Sequence, residues 1–279
     1  MGSYGVGIGW RREIAGYLAT LPGLRFVEVI AESLPGPRGG SAPRALTELR
    51  DRGVAVVPHG IRLNLGGAEP LDDTRVAHLA HCAELVGAPL VSEHISFVRA
   101  GGTEAGHLLP LPRSWDAVHT IVDNARRTMA ELPVPLALEP IAALFDWPDA
   151  ELTEAQFLTE ILERTGAGLL LDIANVYANA RNRGEDPLAL LDALPLERVA
   201  YVHVAGGCAR EDGLYHDTHT DPTPPEVLEL VTQLCARCDP SALMLERDGH
   251  YPPADQLTAE LDAIADAARL PRITAGALA

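Results

Sequence analysis

The chain has 279 residues, 47% of them hydrophobic, and a formal net charge of −17 from 39 acidic against 22 basic side chains. That length and apolar content suit one barrel-sized domain. The acidic balance disfavours binding to nucleic acid or to an anionic membrane, because phosphates are held largely by Lys and Arg, and it reads as a solubilising surface.

Eight short runs of β-branched and aliphatic residues follow one another. GVGIGW leads to Arg11, FVEVIAES to Glu32, VAVVPHG to His59, PLVSEHI to His94, PLALEPI to Glu139, GLLLDIAN to Asp172, VAYVHVAG to His203 and LMLERD to Glu246. Helices are predicted between them. Glu13–Leu21 is closed by Pro22 and Gly23, Ala42–Arg52 by Gly53, and Leu71–Val86 by Gly87. Arg113–Glu131 repeats Trp115, Val118, Ile121, Val122, Ala125 and Met129 at helical spacing. Thr153–Thr165 opens on a capping box, Thr153 with Gln156. Pro187–Leu194, Glu226–Arg237 and Ala254–Arg269 complete the set. Eight strands alternating with eight helices predict an α/β fold, a single (β/α)8 TIM barrel over residues 1–279 with a short extra tail at about 270–279.

No stretch approaches the roughly 20 apolar residues that span a bilayer, and the N-terminus lacks the basic-then-apolar layout of a signal peptide. A cytoplasmic protein is therefore expected, and four cysteines make no disulfide framework in a chain of this length. Long loops are predicted after His59, His94 and His203. Those at Arg62–Asp73 and Arg99–Pro112 contain paired glycines, but neither has the spacing of a nucleotide-binding motif.

In such a barrel the C-terminal strand ends converge on one face. His59, His94, His203 and His219 with Glu139, Asp172, Asp217 and Glu246 form a nitrogen and oxygen set suited to iron, manganese or zinc. One tetrahedral zinc takes about four ligands, so this set predicts a cluster of two or three ions, which would also neutralise carboxylates whose crowding is otherwise costly. Taken singly, each residue has a plainer reading, as a satisfied polar strand end, an Arg partner or a helix cap. The joint pattern carries the argument. Glu93 is expected to face away from His94 and reads as structural or as a residue that orients a ligand. Arg62, Arg99, Arg113, Arg210 and Arg247 read as surface arginines that could hold substrate carboxylates. Cys235 and Cys238 lie late in a helix with no second cysteine pair, and are not read as a zinc site.

GVGIGWR, FVEVIAES, PHGIRLNLGGAEPLD, LVSEHISF, HLLPLPRSW, LLLDIANVYAN, YVHVAGG, DTH and LERDGHYPP resemble the successive signatures of the DUF692 family of multinuclear non-heme iron-dependent oxidative enzymes, from Gly5 to about Leu261. The resemblance implies two or three irons, Fe2+ and Fe3+, with dioxygen as co-substrate. It places ligands at His59, His94, Glu139, Asp172, Asn175, His203, Asp217, His219 and Glu246, with His59, His94, Glu139, Asp172, His203 and Glu246 as the catalytic core. The implied substrate is a residue, commonly cysteine, of a ribosomally made precursor peptide, presented with a separate recognition partner protein. Pro140, Gly207 and Asp221 depart from the family's usual Asn, His and His, which bears on ion number and substrate chemistry rather than on the fold. Two other readings fit the same residues: a divalent-metal isomerase or lyase for a sugar or hydroxy acid, on a xylose-isomerase-like barrel, and a non-catalytic metal-binding barrel.

Overall fold

A computed structural model describes residues 4–275. Five strands, β1 (Gly5–Gly9), β2 (Phe26–Ile30), β3 (Ala55–Gly60), β4 (Val91–His94) and β7 (Leu136–Glu139), are joined by β8 (Gly168–Asp172), β9 (Val199–Ala205) and β12 (Ala242–Glu246). They close into one parallel barrel in the order β1-β12-β9-β8-β7-β4-β3-β2. Helices cover the outside and facing strands fill the inside. The strands are therefore buried on both faces, which is why they read as continuous apolar runs.

Inward positions recur every second residue. Low in the barrel, Phe26, Val57, Leu90, Ala137, Leu170, Tyr201, Ala242 and Met244 pack as one cluster. Gly7 makes room for the Phe26 ring, which a Cβ there would meet at 2.2 Å. One inward step higher, Val57 is followed by His59, Ala137 by Glu139, Leu170 by Asp172, Tyr201 by His203 and Met244 by Glu246, all buried. The period-2 rule thus stacks a charged layer directly on an apolar one.

The outer helices are α1 (Ala15–Leu18), α2 (Arg44–Asp51), α3 (Asp73–Val86), α4 (Trp115–Glu131), α5 (Glu154–Thr165), α6 (Ile173–Arg183), α7 (Pro187–Ala193), α8 (Pro225–Cys235) and α9 (Ala254–Ala268). Asp72 caps α3 by accepting from the Thr74 N–H at 2.9 Å, and Gly87 ends it in the left-handed region. The Thr153–Gln156 capping box is present at the start of α5.

Four expectations change. The segment from Arg99 to Pro112 holds most of a β-hairpin, β5 (Phe97–Ala100) with β6 (Thr103–Leu109), rather than an open loop. The predicted helix over Glu13–Leu21 is a 3-10 turn at Arg12–Ile14 followed by the single turn of α1. After β8 the chain enters α6 before α7, because Asp172 accepts from the backbone N–H groups of Ala174 and Asn175 and so starts a helix that the LDIAN run concealed. Trp115 stands 37% exposed, with Arg164 over its ring, because the buried stripe of α4 runs instead through Ala117, Val118, Ile121, Val122 and Ala125. A second hairpin, β10 (Gly207–Ala209) with β11 (Tyr215–Asp217), rises after β9. Of the expected tail, Ile273 is buried and its carbonyl accepts from the Gly23 N–H at 3.0 Å, while 276–279 lie outside the described residues. No described helix is long and apolar enough to cross a membrane.

Candidate metal centre

Parallel register decides which side chains meet. His94 pairs with Glu139 across β4 and β7, Asp172 with His203 across β8 and β9, and Met244 with His203 across β9 and β12, which sets Glu246 beside Ala205 at the next level. Glu139 lies between two groups. Its Oε2 is 3.2 Å from His94 Nε2 and 3.5 Å from His59 Nε2, while its Oε1 is 3.2 Å from His203 Nδ1. His203 Nδ1 is also 2.9 Å from Glu246 Oε2.

The hairpin supplies the remainder. Pairing of Gly207 with Asp217 returns the chain to the mouth, and the His219 N–H bonds the Gly206 carbonyl at 3.0 Å. His219 adopts φ 53°, a left-handed conformation that costs energy for a residue with a Cβ and persists here under those contacts. Its ring bridges Asp217, through Nε2, and Glu246 and Asp248, through Nδ1 at 3.3 and 3.2 Å.

Four groups of donor atoms, each within 4.8 Å of one another, result: His59, His94 and Glu139; Glu139, Asp172, His203 and Glu246; Asp172, Asp217 and His219; and His219, Glu246 and Asp248. All eight predicted His and carboxylate donors are brought together. Asn175 lies alongside, its Nδ2 donating to the Pro140 carbonyl at 3.2 Å.

The donors fit cations on their own evidence. Glu139 Oε2, Asp172 Oδ2, Asn175 Oδ1, Asp217 Oδ1 and His203 Nδ1 are buried without a hydrogen-bond partner. The His203 contacts are close but out of line for hydrogen bonding. Unsatisfied buried polar atoms are costly and rare, and metal ions would satisfy all five on this mouth together.

The electrostatics agree. Burial alone lowers the basicity of His94, but Glu139 and Glu93 outweigh it and push its pKa up to about 9. His203 is likewise raised, burial being overcome by Glu28 and Glu139. Burial favours neutral Glu139 and Glu246, yet the imidazoles of His203, with His94 for Glu139 and His219 for Glu246, hold both carboxyls below the ordinary range. Asp172 goes the other way. Burial, then Asp217 and Glu139, push it up to about 8. Protons occupy positions that cations would take, and metal would displace them.

Other candidates are placed elsewhere. Glu32 sits in a 3-10 turn beyond β2, accepts from the Ile61 N–H at 3.1 Å and joins none of the four groups. Arg11 is no ligand but pairs with Asp248. Arg247 is buried against Glu260 at 2.6 Å, so it cannot reach a substrate. Glu93 joins none of the four groups; it accepts from the His94 and Leu63 N–H groups and lies 3.6 Å from His94 Nδ1, so it supports that imidazole from behind. Burial, foremost, raises the thiols of Cys235, to about 11, and of Cys238, so neither is an available thiolate. Gly207 cannot carry the imidazole usual at its position, since a Cβ would lie 2.3 Å from the His216 carbonyl oxygen. Asp221 is occupied as acceptor for Thr218 Oγ1.

Three residues under the site escaped the sequence reading. Glu28 Oε2 accepts from Tyr201 Oη at 2.6 Å and lies 2.8 Å from His203 Nε2. Ser92 Oγ lies 2.6 Å from Tyr201 Oη and 2.8 Å from His59 Nδ1. Ser92 and Tyr201 stand two residues before His94 and His203, on the same face, and that spacing was the available signal. Asp248, two residues past Glu246, was missed likewise.

A closed parallel barrel with buried His and carboxylate groups at its C-terminal mouth defines the class: a xylose-isomerase-like TIM barrel with the means to bind metal. The chain belongs to the family described as RiPP precursor modification enzyme MbnB/TglH/ChrH, whose profile matches residues 5–269. A UPF0276 protein of Streptomyces avermitilis is 51% identical over 271 residues, covering 95% of this chain, which spans 55% of that relative's length. One from Anaeromyxobacter sp. is 35% identical over 277 residues, covering 98% of this chain and 97% of its own. The fold is shared with D-psicose 3-epimerase of Clostridium cellulolyticum, TM-score 0.62 at 13% identity over 95% of this chain and 98% of that one. It is shared too with endonuclease IV of Thermus thermophilus, TM-score 0.58 at 22% identity over 90% and 95%.

Proposed function

We propose that this chain is a multinuclear non-heme iron enzyme that uses dioxygen to oxidise a residue, cysteine first, of a ribosomally made precursor peptide. The observation that supports it most is the convergence of five buried, unpartnered donor atoms on one mouth, in a chain of a peptide-precursor-modifying family. One ion is assigned to His59, His94 and Glu139, a second to Glu139, Asp172, His203 and Glu246, and a third to Asp172, Asp217 and His219, with Asn175 alongside. Glu139, which faces both of the first two groups, would serve both ions.

Bound iron would supply the electrons that dioxygen accepts and an electrophilic position for a donor atom of the peptide. The protein's own residues do the rest. The apolar layer under the site excludes water from below. Arg11 holds Asp248, and Asp248 orients His219 at the rim. Leu144, Phe145 and Trp147, exposed on the segment after β7, offer apolar surface to a peptide or to the separate recognition protein expected with it.

The test is elemental analysis and Mössbauer spectroscopy of anaerobically purified, iron-57-enriched protein. Two or three irons per chain, with a mixed-valent population that responds to oxygen, are expected. A single zinc or manganese without iron would overturn the oxidase and favour an isomerase or lyase.

A further inference from the structure

A buried chain of hydrogen bonds joins two of the assigned ligands from below: His59 Nδ1, Ser92 Oγ, Tyr201 Oη, Glu28 Oε2 and His203 Nε2, in steps of 2.8, 2.6, 2.6 and 2.8 Å. Every member is at most 2% exposed. Proton counting orders it. A carboxylate only accepts, so Glu28 receives the Tyr201 hydroxyl and the His203 Nε2–H. Tyr201 has spent its one proton, so toward Ser92 it accepts. Ser92 has then spent its own, so toward His59 it accepts, and His59 must carry its proton on Nδ1. All donors point to the one carboxylate.

The consequence reaches the layer above. His59 is left with a lone pair on Nε2, the nitrogen facing Glu139. His203 is left with Nδ1, the unpartnered nitrogen facing Glu139 and Glu246. We infer that Glu28, Tyr201 and Ser92 are positioning residues: a single carboxylate, acting through one tyrosine and one serine, sets which nitrogen each histidine offers and thereby couples the two Glu139-sharing metal positions. The inference rests on the metal-centre reading above. Histidine ligands commonly have their other nitrogen tied to a carboxylate or carbonyl, and losing that partner typically costs 10–100-fold in metal affinity. Here two ligands share one such partner, so the cost at one position depends on the other.

The experiment uses the full chain, freed of metal by chelation and titrated anaerobically with Co2+ alone against a competing chelator, with visible absorption as the readout. Tyr201→Phe keeps the Glu28–His203 contact and severs the His59 arm. It is expected to weaken the ion at His59, His94 and Glu139 by about 10–100-fold while leaving the ion at His203 and Glu246 within a few-fold. Ser92→Ala should do the same. In the double variant Ser92→Ala/Glu28→Gln, the loss should be several-fold smaller than the product of the two single losses, and should equal that product when Tyr201 is already Phe. Nitrogen-15 shifts of His59 should show the Nδ1–H form giving way to a mixture in Ser92→Ala, a change that mere loosening of the core would not produce. Circular dichroism checks folding, and Ser92→Ala carries the test if Tyr201→Phe fails to fold. Unchanged Co2+ affinities in Tyr201→Phe and Ser92→Ala overturn the relay while leaving the metal centre standing. A wild-type chain that binds no Co2+ overturns both.

Discussion

The mouth has a strand-borne half and a hairpin-borne half, and they are built differently. His59, His94, Glu139, Asp172, His203 and Glu246 lie in the last residues of barrel strands, are at most 8% exposed, and are placed by parallel register. Asp217 and His219 hang from the β10–β11 hairpin, and the His219 side chain is 21% exposed at a left-handed backbone position. The strand-borne donors are tied to the barrel ladder, whereas the other two depend on a short two-stranded ribbon of the kind that is only marginally stable alone. A permanent pair of ions on the strands and an exchangeable one under the hairpin is the expected division of labour.

The largest effect should come from Glu139→Ala, because this carboxylate faces both strand-borne groups. Elemental analysis should show both strand positions losing metal together, and the metal-free protein should lose about 3–5 kcal/mol as protonated His94 and His203 lose their partner. Retention of one strand-borne ion at full occupancy would break the bridging role.

The pH dependence of the metal-free protein comes next. His94 is raised to about 9, so its contribution is complete below its ordinary value of 6.5 and is lost as pH rises through 9. Asp172 is raised from 3.8 to about 8, so its penalty is absent in acid and grows as pH rises through that interval. Both signs agree. Thermal melts should fall by on the order of 5 °C or more between about pH 6 and about pH 9. Metal affinity should rise over the same range as protons leave the ligands. A flat melting profile would show that the strand-borne layer is not strained in this way.

His219→Ala sharpens the division itself: elemental analysis is expected to show the hairpin-borne position emptied and full occupancy on the strands. Gly207→Ala should act by sterics alone, since its Cβ would meet the His216 carbonyl oxygen at 2.3 Å. About 1–3 kcal/mol is expected, read as faster amide exchange in β10 and β11. Cys235→Ser with Cys238→Ser should be the quietest change at the site, with no effect on metal content and a loss of about 1 kcal/mol per half-buried thiol.

Most of the barrel and of the ligand set was legible in the chain because both follow from short-range rules. Apolar runs that alternate with capped helices imply parallel strands, and a His or carboxylate two residues beyond an inward apolar side chain must face inward too. The rule that placed His203 above Tyr201 also places Glu28 above Phe26, yet a glutamate inside FVEVI carries no mark of its partner, which lies 175 residues away at His203. Helix α6 escaped because Asp172 serves at once as strand end, helix cap and ligand candidate, and only the first and last of these show in LDIAN. The hairpins escaped because Gly-rich segments fit a loop or a turn equally well.

By itself the sequence determined the strand and helix alternation, the face on which each candidate donor lies and the family resemblance, since these depend on residue type and spacing along the chain. Tertiary structure alone decided that Glu139 bridges two groups, that the hairpin returns Asp217 and His219 to the mouth, and that Glu32 and Arg247 stay outside it. Those outcomes depend on barrel closure and strand register, which are set by packing between residues far apart in the chain, where no local pattern records them.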